Sequence, residues 1–99
     1  MNNLKVLGKT ESALVVTGGG FLRGLVVHTD GTNAVTLDVY DNTSAAVPKL
    51  ISTMTIPTSA TNRTTTISFD ERVCGFSNGI YLAITCTGTV TVDTYFDLI

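Results

Sequence analysis

In "NAVTLDVYDN" the apolar Val35, Leu37 and Val39 alternate with Thr36, Asp38 and Tyr40, and the same two-residue period returns along nearly the whole chain. In an extended strand that period puts one row of side chains on each face, so each segment of this kind reads as a half-buried strand paired in a sheet. No segment sustains a helical period over three turns, so an all-β architecture is expected. "KLISTMTIP" sends Leu50, Met54 and Ile56 inward around Ser52, with Ile51, Thr53 and Thr55 outward; "TTTISFDERV" sends Ile67 and Phe69 inward. "GIYLAITC" buries Ile80, Leu82, Ile84 and Cys86 behind Tyr81, Ala83 and Thr85, and "TVTVDTYF" buries Val90, Val92 and Phe96 behind Thr91, Asp93 and Tyr95.

The punctuation between these runs sets the expected order. Asp30-Gly31, Asn78-Gly79 and Thr87-Gly88-Thr89 supply residues that tolerate positive φ, and each predicts a hairpin between adjacent strands. The longer polar connections at 41–48 and 57–63, each with a proline that removes a ladder donor, are the expected crossings between sheets. "SALVVT" is a strand broken by Gly18-Gly19-Gly20, and Gly24 within "FLRGLVVHT" predicts a bulge or a close backbone approach. Residues 1–11 form either an edge strand or an N-terminal arm. Phe96, Leu98 and Ile99 carry the alternation to the end, which predicts a tail paired in a sheet or docked on a neighbour. The 99 residues fit one domain. The expectation is a single antiparallel β-sandwich of seven to eight strands with jelly-roll or Greek-key connections.

Charged residues make up only 14% of the chain, against about a quarter in ordinary soluble domains, and threonine fills the gap. A charge-poor, hydroxyl-rich exterior points to a surface that ends up against other protein. The net charge of −2 and the scatter of the six basic residues exclude a nucleic-acid footprint. No apolar run approaches the roughly eighteen residues of a membrane span, and the start "MNNLKVLGKTES" lacks the apolar core of a secretory signal, so synthesis in the cytoplasm is expected. Cys74 and Cys86 are expected as two buried free thiols, because a turn at 77–79 would leave them out of register.

Candidate chemistry is sparse, and neither an enzyme nor a cofactor is expected. His28 is the only imidazole, with Asp30 two residues along the same face, and it reads as a solvent-facing residue before a turn. One histidine and two cysteines without the C-x-x-C spacing make no zinc site. Asp38, Asp41, Asn42 and Asp93 would make a calcium site only if the strands at 35–40 and 90–96 were neighbours; otherwise Asp41-Asn42 initiates a loop. "TGGGF" lacks the lysine and the following helix of a phosphate loop, and the consecutive Asp70 and Glu71 would point to opposite faces of a strand. What remains are Tyr40, Tyr81 and Tyr95, all expected to face outward beside Asp38 and Asp93. Amphipathic rings of this kind serve protein interfaces and sugar platforms, and on a sheet they also make ordinary cross-strand pairs. These five residues are the contact candidates.

The segments "VVTGGGFLRGLVVHTDGTNAVTLDVYDNTSA" and "GIYLAITCTGTVTVDTYF", about half the chain, resemble a group of small all-β proteins encoded among the structural genes of tailed bacteriophages. The shared features are a Gly-rich break, a G-x-V-V strand, a glycine turn, a V-x-L-x-V-Y-D-N strand ending in a polar loop, and a closing hairpin. The resemblance implies a virion component: a capsid cement or decoration subunit, commonly a homotrimer, that clamps neighbouring copies of the major capsid protein. It brings no catalytic residues. A carbohydrate-binding or receptor-recognition module built on the three tyrosines is the alternative, and a neck or tail component is another. Residues 1–11 depart from the simplest members as an extension.

Overall fold

The computed structural model describes residues 4–70 and 73–99. Among these described residues nine strands run in the order β1 (Leu4–Lys9), β2 (Ala13–Thr17), β3 (Gly20–Thr29), β4 (Val35–Tyr40), β5 (Lys49–Ile56), β6 (Thr64–Ser68), β7 (Gly75–Phe76), β8 (Gly79–Thr85) and β9 (Val90–Leu98). They form two antiparallel sheets. The first has the order β1-β9-β3-β6, with β7 also on β3; the second has the order β2-β8-β4-β5. Nine strands replace the expected seven to eight, because Leu4–Lys9 is an edge strand on β9 and the two-residue β7 is too short to carry a periodic signal. Residues 1–3 of the expected arm, and Glu71, lie outside the described residues.

The pairs β4·β5, β3·β6, β2·β8 and β1·β9 nest like the two arms of one long hairpin. That hairpin is rolled so that β9 lies beside β3 and β8 beside β4, which is the jelly-roll arrangement. The connections therefore differ from those expected. Asp30-Gly31 joins β3 to β4, Asn78-Gly79 joins β7 to β8, and Thr87-Gly88-Thr89 joins β8 to β9, and each of these passes from one sheet to the other instead of forming a hairpin. The crossing expected at 57–63 does occur, but 41–48 is the loop of the β4·β5 hairpin within one sheet. Pro48 does not open that ladder: its carbonyl accepts the N–H of Asp41 at 2.8 Å. The turn at 77–79, on which the expected offset of the two cysteines rested, is an arch between the sheets and not a hairpin. Cys74 is buried beside β7, Cys86 is only half-buried past the end of β8, and both are free thiols.

Between the sheets the inward rows meet as read from the period. Leu22, Leu25 and Val27 of β3 face Val35, Leu37 and Val39 of β4, with Ile80, Leu82, Val92 and Phe96 completing a core of essentially inaccessible side chains. Thr94 continues the inward row of β9; it is fully buried, and its hydroxyl has no hydrogen-bond partner among the described residues. Strict alternation is broken on β2, between Leu14 and Val16, and more consequentially on β3 and β5. The register of β3 shifts between Leu22 and Gly24, so the expected bulge is present and Arg23 is its extra residue. On β5 the register shifts opposite Leu37 and Val39, which sets Ile51 against Val39 and packs it on the core beside Leu50, contrary to the outward position expected of it.

The arches that cross between sheets are tied together by carboxylates. Asp30 accepts the backbone N–H groups of Thr32 and Asn33 at 2.8 Å each, the side-chain amide of Asn33 at 2.8 Å, and the N–H of Thr89 in the neighbouring arch at 3.2 Å. The bonds to Asn33, and then that to Thr32, hold the Asp30 carboxyl well below its ordinary value of 3.8. A carboxylate whose folded pKa is depressed stabilises the fold fully above its unfolded pKa, and that stabilisation is lost as pH falls through the folded pKa. Thermal melts are therefore expected to hold steady above pH 5 and to drop progressively below pH 3.8. An Asp30→Asn variant should show a shallower acid limb; an unchanged limb would remove Asp30 from this account.

Candidate functional site

The register decides which contact candidates share a surface. Tyr40 and Tyr81 are direct cross-strand partners on the outer face of the second sheet, and Asp38, two residues before Tyr40, stands opposite Ala83 on that same face. Across all four strands the row continues on both sides: Leu14 of β2 is opposite Tyr81, and Lys49 of β5 is opposite Tyr40. An apolar side chain, two phenol rings and a cation thus stand side by side at one height of the sheet. The Lys49 ammonium lies 5.8 Å from the Tyr40 ring centroid and 3.0 Å from Asp38 Oδ1, and it donates to Thr53 Oγ1 at 2.8 Å. Thr53 in turn donates to the Asp38 carboxylate. The Thr53 bond, and then that from Lys49, pulls the Asp38 pKa down. Asp38 therefore orients Lys49 over Tyr40 and fixes one end of the row.

Tyr95 and Asp93 occupy the outer face of the first sheet, on the other side of the molecule. The three tyrosines consequently do not make a single platform. Asp93 bonds His28, Oδ2 to Nε2 at 3.1 Å, and the Thr64 hydroxyl lies 3.4 Å from His28 Nδ1. Sequence reading paired His28 with Asp30 by proximity, whereas Asp30 is committed to its own loop and the partner comes from β9. The Thr64–His28–Asp93 line has the residue types of a nucleophilic triad. It lies along the outer face of a paired sheet, outside the depression described below, and with Asp93 on Nε2 and the hydroxyl on Nδ1.

β4 and β9 belong to different sheets, so the neighbouring strands that a calcium site required are not present. Asp41 instead accepts the N–H groups of Ser77 and Asn78, at 3.0 and 2.8 Å, and clamps the β4·β5 loop to the arch before β8. Asn42 closes its own loop by donating to the carbonyls of Ala46 and Val47. No group of three His, Cys, Asp or Glu side chains converges among the described residues. Burial, and then the charge of Asp41, pushes the Cys74 thiol pKa up and so disfavours the thiolate.

The outer face of the first sheet carries a depression of about 390 Å³ whose lining includes Tyr95, Gly24, Arg23, Thr66, Ser68 and Leu4. Sequence reading marked Tyr95 and the Gly24 bulge separately; their adjacency needed the β3·β9 register. Lys49 and Leu14 were missed because neither carries a local signal of its own. No protein-family model, no curated protein and no solved structure matches the chain.

Proposed function

We propose that this chain is a structural subunit of a tailed-bacteriophage virion, a cement or decoration protein that trimerises and binds the major capsid protein through side-chain contacts. The observation that carries the reading is the Leu14–Tyr81–Tyr40–Lys49 row, an aromatic pair with a cation oriented by Asp38 and Thr53, on a sheet face that also shows Thr36, Ala83 and Thr85. Rings with few rotatable bonds lose little entropy on docking and dominate contact energies. The edge strand β1 adds exposed Leu4, Val6 and Leu7, which also favour burial against protein. Jelly rolls serve viral capsids and lectins alike, so the fold alone decides between neither, and the resemblance in the Gly-rich break and the V-Y-D-N strand supplies the virion assignment.

The mass of the protein in solution tests this directly. A particle three times the 10.5 kDa chain is expected, and the paired variant Tyr40→Ala/Tyr81→Ala should fall to the monomer while its melting temperature moves by only a few degrees. A wild-type monomer at high micromolar concentration would sink the trimer, and a larger ring would point to the neck or tail. Unfolding of the double variant would instead make the rings part of the fold's own support.

A further inference from the structure

The surroundings of Tyr95 differ from those of the other two tyrosines. Across the first sheet the register sets Val6, Tyr95, Gly24 and Ser68 side by side on four adjacent strands. Gly24 has no side chain to fill its place in this row, and the depression of about 390 Å³ opens there, within the range of roughly 300–1,000 Å³ typical of small-molecule sites. The gap is built into the backbone, because a Cβ on Gly24 would meet the carbonyl oxygen of Ile67 at 2.8 Å.

Three kinds of group border this gap. Tyr95 supplies a half-buried aromatic ring. Thr66 and Ser68 supply hydroxyls that make no hydrogen bond with any described residue. Arg23 supplies a guanidinium whose Nη1 donates to Asp97 Oδ2 at 2.7 Å, while its Nε is buried without a partner among the described residues. The Arg23–Asp97 pair leaves the site without net charge. An anionic ligand would gain little from an arginine whose charge is already matched, and a hydrocarbon would strip water from the two hydroxyls without replacing its hydrogen bonds. A ring with an apolar C–H face, a rim of hydroxyls and no charge satisfies all three kinds of group.

We propose that this depression binds one neutral sugar ring, stacked on Tyr95 and hydrogen-bonded at its rim by Ser68, Thr66 and Arg23. The site is distinct from the Tyr40–Tyr81 contact, which lies on the opposite sheet. It gives the molecule a weak glycan contact of the kind that repetition on a symmetric assembly strengthens.

The experiment is a ¹H–¹⁵N titration of the full chain with maltose, cellobiose, lactose and N,N′-diacetylchitobiose, each taken to about 20 mM, since a single small ring in an open site reaches affinities on the order of 1 mM. At least one sugar should give saturable shifts centred on Gly24, Val26, Thr66, Ser68 and Tyr95. Tyr95→Ala should weaken binding about tenfold or more, and Tyr95→Phe, which keeps the ring, should preserve it. Thr66→Val/Ser68→Ala, on an edge strand, should weaken binding with the rest of the spectrum unchanged. The Tyr40→Ala/Tyr81→Ala variant should bind as the wild type does, which separates this site from the assembly reading. Absence of saturable shifts with all four sugars, or undiminished binding by Tyr95→Ala, would overturn the proposal.

Discussion

Phe96→Ala is expected to destabilise the protein by about 3–5 kcal/mol, a large share of the roughly 5–15 kcal/mol that holds a domain of this size together. Phe96 is 1% exposed and is the largest of the fully buried side chains. Its strand, β9, is the centre of the first sheet, paired to β1 on one side and β3 on the other, so the chain around it is held on both edges and cannot collapse into the gap. The loss therefore combines the transfer cost of the ring with most of the cavity cost. Urea unfolding should show a lower midpoint with an unchanged slope. A loss below about 1 kcal/mol would mean that the two sheets slide together to fill the space, and would contradict the rigid rolled arrangement.

Gly20→Ala is expected to cost about 3 kcal/mol, far more than adding one methyl group normally does, because the space it would occupy belongs to backbone. Gly20 starts β3 where three strands converge: it is the register partner of Leu98 on β9 and of Phe76 on β7. A Cβ there would lie 2.0 Å from the carbonyl oxygen of Asp97 and 2.9 Å from the Phe76 ring. Relief requires β3 and β9 to part at that end, which would also loosen Asp97 from Arg23. Gly18 provides the control. It has φ of +95° and nothing within 4 Å, so Gly18→Ala meets only the conformational penalty of about 1–2 kcal/mol. Chemical denaturation of the two variants compares these costs, and equal losses would show that steric approach at Gly20 is not the cause. Hydrogen exchange should further show loosening of the β3 and β9 ends in Gly20→Ala alone.

Both surfaces proposed for contact depend on the same property of the rolled sandwich. Each sheet turns one face to the core, and what remains on the other is free to meet a partner. On the second sheet that face holds the Tyr40–Tyr81 pair with Lys49 held by Asp38; on the first it holds the depression beside Tyr95. The Tyr40–Tyr81 contact and the ligand contact can operate together because they lie on the outer faces of opposite sheets. The carboxylates are mostly committed elsewhere. Asp30 stitches two arches together, Asp41 clamps the β4·β5 loop to the arch before β8, Asp93 holds His28 and Asp97 holds Arg23.

Much of the local structure was legible in the residues alone. Alternation placed Val35, Leu37, Val39, Leu82 and Phe96 inside and Tyr40, Tyr81 and Tyr95 outside, because on a strand the side to which a residue points is a property of its immediate neighbours. The bulge beside Gly24 was legible for a similar reason: a glycine within an apolar run marks a place where backbone comes close. Ile51 was misplaced because a bulge on β5 carries no composition signal. The triad-like line was invisible because Thr64 and Asp93 reach His28 from strands far away in the chain.

Strand partnership, by contrast, belonged to the tertiary structure. Asp30-Gly31 and Asn78-Gly79 announce that the chain reverses, but a reversal of a few residues can span the roughly 10 Å between packed sheets as readily as the gap of about 5 Å between paired strands. Choosing between these depends on where all the apolar rows find cover together. Rolling one long hairpin buries both sheets' inward rows at once, and it makes arches of the tight turns while the proline-bearing loop at 41–48 becomes the hairpin. The sequence by itself determined the facing of each side chain, because that is set by local backbone geometry. The neighbours that each outward side chain acquired, and with them the aromatic row and the depression, were decided only when strands distant along the chain competed for the same core.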